Sequence, residues 1–250
     1  MRPFRQGFNP RAPGFCGPWF DAPPPLAYAR PTAMRQPKMT ASDDHLDIVL
    51  AGLAAGRTLL PSSRSGDRRL LEAMAALGAR IERTDAGIAV TGAGNGCLLE
   101  PAATLALEDA DAALLVAGLV APYDIAARIA CRSALPDGDR DAFLAATAAM
   151  GIQASAPDAD TIVLAGQASA VPARHACAGW SETVLRAIAL AVLNTPGITR
   201  LEGEGAAPTA LARRLGAFGA QCGIDDRDGG WSLAVTGQCV LRAAEPENAS

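Results

Sequence analysis

A chain of 250 residues, half of them hydrophobic, is long enough to bury a core, which excludes global disorder. The formal net charge is −4, but residues 1–38 carry +5 and leave −9 for the remainder; that acidic balance gives no general attraction for nucleic acid or anionic lipid. No apolar run reaches the roughly 18–20 residues of a membrane span. The basic start Met1–Arg11 leads into Pro- and Gly-broken sequence instead of a secretory apolar segment, so the chain reads as cytoplasmic.

Residues 1–38 hold nine of the 18 prolines, including Pro23-Pro24-Pro25, and the only lysine, Lys38. Each proline removes a backbone donor and pushes its predecessor toward extended geometry, so a disordered Pro/Arg-rich arm is expected. Either it is an extension upstream of a true start at Met34 or Met39, or it is a polyproline-type interaction arm. The folded body then spans 39–242, with a short tail over 243–250.

The body takes one order of elements three times. An apolar helix at about 44–55 leads to a strand at Thr58–Pro61, a second helix over Leu70–Leu77, and two strands, Arg80–Arg83 and Ile88–Thr91, around an acidic turn. The second pass has a helix at 110–121, a strand at Ile125–Ile129, a helix over Phe143–Met150, a turn at Pro157–Asp160 and a strand at Ile162–Ala165. In the third pass the helix is at 181–193 and the strand at Thr199–Glu202. They are followed by a helix over Leu211–Phe218, a turn within Asp225–Gly230 and a strand at Leu233–Thr236.

Closing glycines fall at 92, 166 and 237, at intervals of 74 and 71 residues. Gly78, Gly151 and Gly219 each follow the second helix of a pass and suit the left-handed position after a helix end. The first helix of each pass is apolar nearly all round, as a helix inside a domain must be. The expected fold is α/β: three repeated α-β-α-β-β units with buried helices and outer sheets.

Local motifs for other chemistry fail their context. The six cysteines (Cys16, Cys97, Cys131, Cys177, Cys222, Cys239) form no C-x-x-C pair, which argues against zinc and against a disulfide framework; reduced, mostly buried thiols are expected. Asp43-Asp44-His45 is explained by helix capping, and His175-Ala176-Cys177 is too short a pattern for a metal site, so no metal or cofactor is expected. The acidic clusters Glu108–Asp111 and Asp225–Asp228 lack the calcium-loop pattern and read as a helix start and a turn. Thr91–Gly96 is Gly-rich but opens no helix, so it is a loop and not a phosphate cradle.

Several phrases in fixed order carry a resemblance. They are Gly56, Met74–Arg83, Ala89–Gly94, Leu98-Leu99-Glu100-Pro101, Gly118–Ala121, Met150-Gly151 and above all Leu193-Asn194-Thr195-Pro196-Gly197-Ile198-Thr199. Over residues 39–242 the chain resembles one lobe of the EPSP synthase (3-phosphoshikimate 1-carboxyvinyltransferase) family. The resemblance implies the enolpyruvyl transferase fold and, for a complete two-lobed protein, enolpyruvyl transfer from phosphoenolpyruvate to shikimate 3-phosphate. Such chemistry needs cations for the phosphates and carboxylates and an acid/base pair for the proton transfers.

The family's functional positions, carried over one at a time, are mostly altered. Its opening G-D-K-S-x-S-H-R falls on Met39–Leu46, with Ala41 in place of the lysine and Leu46 in place of the arginine; Ser42 and His45 remain. The N-[SA]-G-T motif falls on Asp109-Ala110-Asp111-Ala112, where two carboxylates repel the anions that the family's loop receives. The basic L-R-x-R-P-M loop reads Leu135–Arg140 and carries Asp137 and Asp139. The S-[SA]-Q motif keeps Ser181 but loses its glutamine, and Ala206–Leu211 retains nothing of S-R-D-H-T-E. Arg57, Arg64, Arg68, Arg69, Arg132 and Arg186 could in principle replace lysine, but none stands at a family site, and they read as solvated surface residues.

Residual substrate contacts are therefore expected only at Ser42, His45 and Ser181. The lobe reads as degenerate and non-catalytic. Its expected partner is a complementing lobe, a second copy or another protein, and its ancestral ligands are shikimate 3-phosphate and phosphoenolpyruvate.

Overall fold

The computed structural model describes residues 41–61, 67–166, 170–227 and 229–243. The expected arm over 1–38, the tail beyond Ala243, Arg64 and Cys16 lie outside the described residues.

The first stretch runs α1 (Ala41–Leu53), β1 (Arg57–Leu60), α2 (Arg68–Ala76), β2 (Arg80–Thr84) and β3 (Gly87–Thr91). The second runs β4 (Leu105–Leu107), α3 (Ala110–Val120), β5 (Ala126–Cys131), α4 (Asp137–Ala149), β6 (Ala154–Asp158) and β7 (Thr161–Ala165). The third runs β8 (Arg174–Ala176), α5 (Glu182–Val192), β9 (Ile198–Gly203), α6 (Thr209–Ala217), β10 (Gln221–Arg227) and β11 (Gly230–Thr236). Each stretch closes its own sheet, in the orders β1-β3-β2, β4-β5-β7-β6 and β8-β9-β11-β10.

Sequence periodicity missed β4 and β8. Both are three-residue strands, shorter than a periodicity window, and they exist because they pair in parallel with β5 and β9. The acidic turns are tighter than expected. Asp158 ends β6 opposite Thr161, and Asp225 and Asp226 lie within β10 opposite Ser232 and Trp231. The ladder partner decides here against the weak strand preference of aspartate. Helix α1 also begins earlier than expected, at Ala41, which puts Asp43 and Asp44 within its first turn.

The core lies along α1, α3 and α5. Helix α3 is buried at every position from Ala112 to Val120 and packs against both α1 and α5. Asp109 caps its start by accepting a 2.8 Å hydrogen bond from Ala112 N, and the helical hydrogen bonds end at Ala121, since Pro122 has no N–H to continue them. Leu114, Leu115 and Leu119 are fully buried, and each contributes about 1.5–3 kcal/mol relative to exposure. A Cβ added to Gly118 would lie 2.1 Å from the Ala187 carbonyl oxygen, so α3 and α5 meet at the backbone itself. The sheets wrap this helical centre: β5 and β9 alternate exposed and buried residues, one face to solvent and one to the helices.

The glycines after α2, α4 and α6 behave as expected. Gly78, Gly151 and Gly219 have φ of 107°, 76° and 86°, the left-handed turn that ends a helix without a Cβ clash.

Candidate functional site

The buried helices start at one end of the molecule, and side chains show it. His45 in α1 places Nε2 3.3 Å from Asp67 Oδ1, just before α2, and 3.9 Å from Asp109 Oδ2, the cap of α3. Thr183 in the first turn of α5 donates a 2.9 Å hydrogen bond to Asp111 Oδ1 in the first turn of α3. The starts of α1, α3 and α5 therefore share a face. Helix starts present partial positive charge and unpaired N–H groups, which suits such a face to anions.

Here the face is filled by the protein's own carboxylates. Asp109 is engaged by its own helix and Asp111 by Thr183. Glu108 bridges two arginines, at 2.9 Å from Arg69 and 3.3 Å from Arg132. Asp47 of α1 holds Arg214 of α6 at 2.6 Å. The acids of the expected Asp137–Arg140 loop start helix α4 instead, where Asp137 pairs with Arg140 at 2.9 Å.

Of the residues named from sequence, His45 lies at the centre of this arrangement. Ser42 occupies the first turn of α1, but its side chain lies outside the described residues. Ser181 is the N-cap of α5: its Oγ accepts a 3.2 Å hydrogen bond from Val184 N. It reaches the same end as His45 through Thr183, Asp111 and Asp109. Arg57, Arg68, Arg69 and Arg132 are exposed and ion-paired, as a solvated reading requires. Arg186 is a correction to that reading. Its side chain is 4% exposed, because α5 is buried from Thr183 to Val192, and it pairs with the exposed Glu182 one turn back at 2.6 Å.

Sequence reasoning missed Asp67 and Thr183. Asp67, directly before the apolar pattern of α2, carried a local helix-start signal; Thr183 carried none, since its partner is 72 residues away.

The Gly-rich loop at 91–96 lies where α1, α3 and α5 end. Asn95 Nδ2 donates to Leu193 O at 2.8 Å and to Cys239 O at 3.0 Å, and Ala93 N donates to Gly52 O. The Tyr123 hydroxyl donates to Asn95 Oδ1 at 3.1 Å and accepts from Gly96 N at 3.0 Å. The loop thus clasps the carbonyl ends of helices, which repel phosphate. Burial pushes the Tyr123 phenol up to about 12.

Among the described residues, Cys131 and Cys177 are buried, Cys222 and Cys239 half-buried and Cys97 exposed, all as free thiols. Burial pushes the Cys177 thiol up to about 11 and lowers the His175 pKa, the opposite of what an activated thiol needs. No cluster of three or more His, Cys, Asp or Glu among the described residues is arranged to hold a metal ion. No helix among them is long and apolar enough to cross a membrane.

Three sheets around central helices, with the helix starts gathered at one face, have the fold of one lobe of solved enolpyruvyl transferases. Solved structures of that class share the fold: EPSP synthase from Acinetobacter baumannii matches with a TM-score of 0.68 at 20% identity, over 82% of this chain and 46% of that one. The enolpyruvyl transferase NikO from Streptomyces tendae matches at 0.55 and 17% identity, over 81% of this chain and 48% of that one.

By sequence, the chain is related to EPSP synthase. It is 34% identical to the 3-phosphoshikimate 1-carboxyvinyltransferase of Chelativorans sp. (strain BNC1) over 208 residues, 80% of this chain and 46% of the relative. The enzyme of Brucella abortus (strain S19) is 32% identical over 206 residues, with the same coverage. The chain thus spans about half the length of the curated relatives it matches. No family model matches it.

Proposed function

We propose that the chain is a catalytically silent lobe of shikimate-pathway ancestry that serves in the cytoplasm as an interaction domain. The observation that carries this reading is the use of Glu108, Asp109 and Asp111. Asp109 and Asp111 stand where the resemblance implies an anion-receiving loop, Glu108 directly precedes them, and each is spent on holding one helix start or on joining neighbouring elements. An incoming phosphate would face these carboxylates and would have to displace an internal bond. No lysine of the body is available, because Lys38 is the only one in the chain. The three retained positions fit the same reading: His45 already faces two aspartates, Ser181 caps its helix, and Ser42 adds no charge.

The test is a thermal melt of the full chain with shikimate 3-phosphate and phosphoenolpyruvate, separately and together. A ligand at 100 times its Kd adds roughly 2.7 kcal/mol of stability. We expect no shift of the midpoint; a clear rise with either ligand overturns the reading. A second reading is a half-enzyme that completes its site with another chain; it is favoured by the retained His45 and Ser181 at one end of the central helices. It predicts that ligands raise the midpoint only after a chain carrying the complementary half has been added.

A further inference from the structure

The third stretch forms an open cavity of about 590 Å3 between the starts of α5 and α6, large enough for a small organic ligand. Its apolar walls include Trp180, Trp231, Leu185, Pro208 and Leu211. Trp231 is fixed: its Nε1 donates to the Glu204 carbonyl at 3.2 Å, and its ring covers Gly203 so closely that an added Cβ there would lie 2.4 Å away. Trp180 rests against the buried His175 ring, with centroids 5.7 Å apart. The aromatic surfaces are therefore held in place without a ligand.

The charges decide what this cavity accepts. No Lys, Arg or His lines it, whereas Glu182 and Glu204 do. Glu182 is matched by Arg186 at 2.6 Å, and no ion pair to Glu204 forms among the described residues. The start of α5 is already satisfied by Ser181 and by Glu182 in its first turn. The start of α6 has no side-chain cap and contributes about half a positive charge, less than the full charge of the Glu204 carboxylate. Indole faces attract cations through the negative face of their ring quadrupole.

We infer that this cavity binds a small organic ammonium ion with a flat apolar body, its charge directed to Glu204 and its body laid against Trp180 and Trp231. The cavity includes Ser181, Glu182 and Ala206–Leu211, so it adjoins the helix-start face and stands at two of the altered substrate motifs, but the inference requires neither phosphate recognition nor chemistry.

Isothermal titration calorimetry of the full chain with three probes of one shape tests it: 2-phenylethylammonium, 2-phenylethanol and 3-phenylpropionate. The expected result is saturable binding of the cation, about tenfold tighter than the alcohol, with no saturation by the anion. Glu204→Gln, at an exposed position that leaves the fold intact, brings the cation's affinity down to that of the alcohol. Trp180→Leu weakens the cation by about tenfold. Equal binding of cation and alcohol, tighter binding of the anion, or no binding of the cation each overturns the inference.

Discussion

The two ends of the central helices are held together by different physics. Where α1, α3 and α5 start, the joints are side-chain pairs: His45 with Asp67 and Asp109, Thr183 with Asp111, Glu108 with Arg69 and Arg132. Where they end, the joints are backbone. A Cβ on Gly92 would lie 2.1 Å from Ala54 O, a Cβ on Gly237 would lie 1.7 Å from Thr195 O, and Asn95 ties Leu193 to Cys239. The exposed pairs among these, Glu108 with Arg69 and Arg132, are worth about 0–1 kcal/mol, so their residues are replaceable at small cost. Backbone approach through glycine tolerates no side chain. The phrases that carry the resemblance most strongly, Ala89–Gly94 and Leu193–Thr199, lie at the backbone end, and the positions where the resemblance implies substrate motifs lie at the other.

Substitutions should break the two ends unequally. Gly237→Val, which drives a branched side chain into the Thr195 carbonyl, is expected to cost at least about 3 kcal/mol in urea unfolding. Alkali should act at the same end. The Tyr123 phenol is ordinarily near 10 and is held neutral in the fold up to about 12. Its contribution is complete below pH 10 and is lost as pH rises through about 12, a decline on the order of 2–3 kcal/mol. Tyr123→Phe should flatten that decline in unfolding curves measured across this window.

Asn95→Ala removes two hydrogen bonds to carbonyls and strands the Tyr123 hydroxyl, for an expected loss of about 2 kcal/mol by the same urea assay. At the helix starts the effects shrink. Asp109→Ala should cost about 1 kcal/mol through the lost cap of α3, read as a lower thermal midpoint. Glu108→Gln should cost about 0.5 kcal/mol at low salt and nothing measurable in 1 M salt, because both of its arginine pairs are exposed. A loss at Glu108 equal to that at Asn95 would remove the distinction between the two ends.

Most of the architecture was legible in the chain. Helices α3 and α5 agree with the sequence reading to within a residue or two because their apolar runs are long, and the helix-ending glycines 78, 151 and 219 stand where expected. Strands β4 and β8 were not legible, since three residues carry no period and only a neighbouring strand makes them extended. The candidate site was legible in composition but not in use. That Ala41 and Leu46 stand where the resemblance implies basic residues, and that acids occupy 109 and 111, is read from the chain. That Ser181 caps a helix, that Asp111 accepts from Thr183 and that Arg186 is buried is not.

The sequence by itself determined the three-stretch α/β order, the burial of the first helix of each stretch and the absence of lysine from the body. These depend on local periodicity and on counting. Only the tertiary structure decided which polar groups meet. Asp111 and Thr183 are 72 residues apart, Arg69 and Glu108 are 39 apart, and Asn95 reaches Cys239 across 144. Such partners are brought together by packing three helices side by side, and no local pattern in the chain encodes that distance.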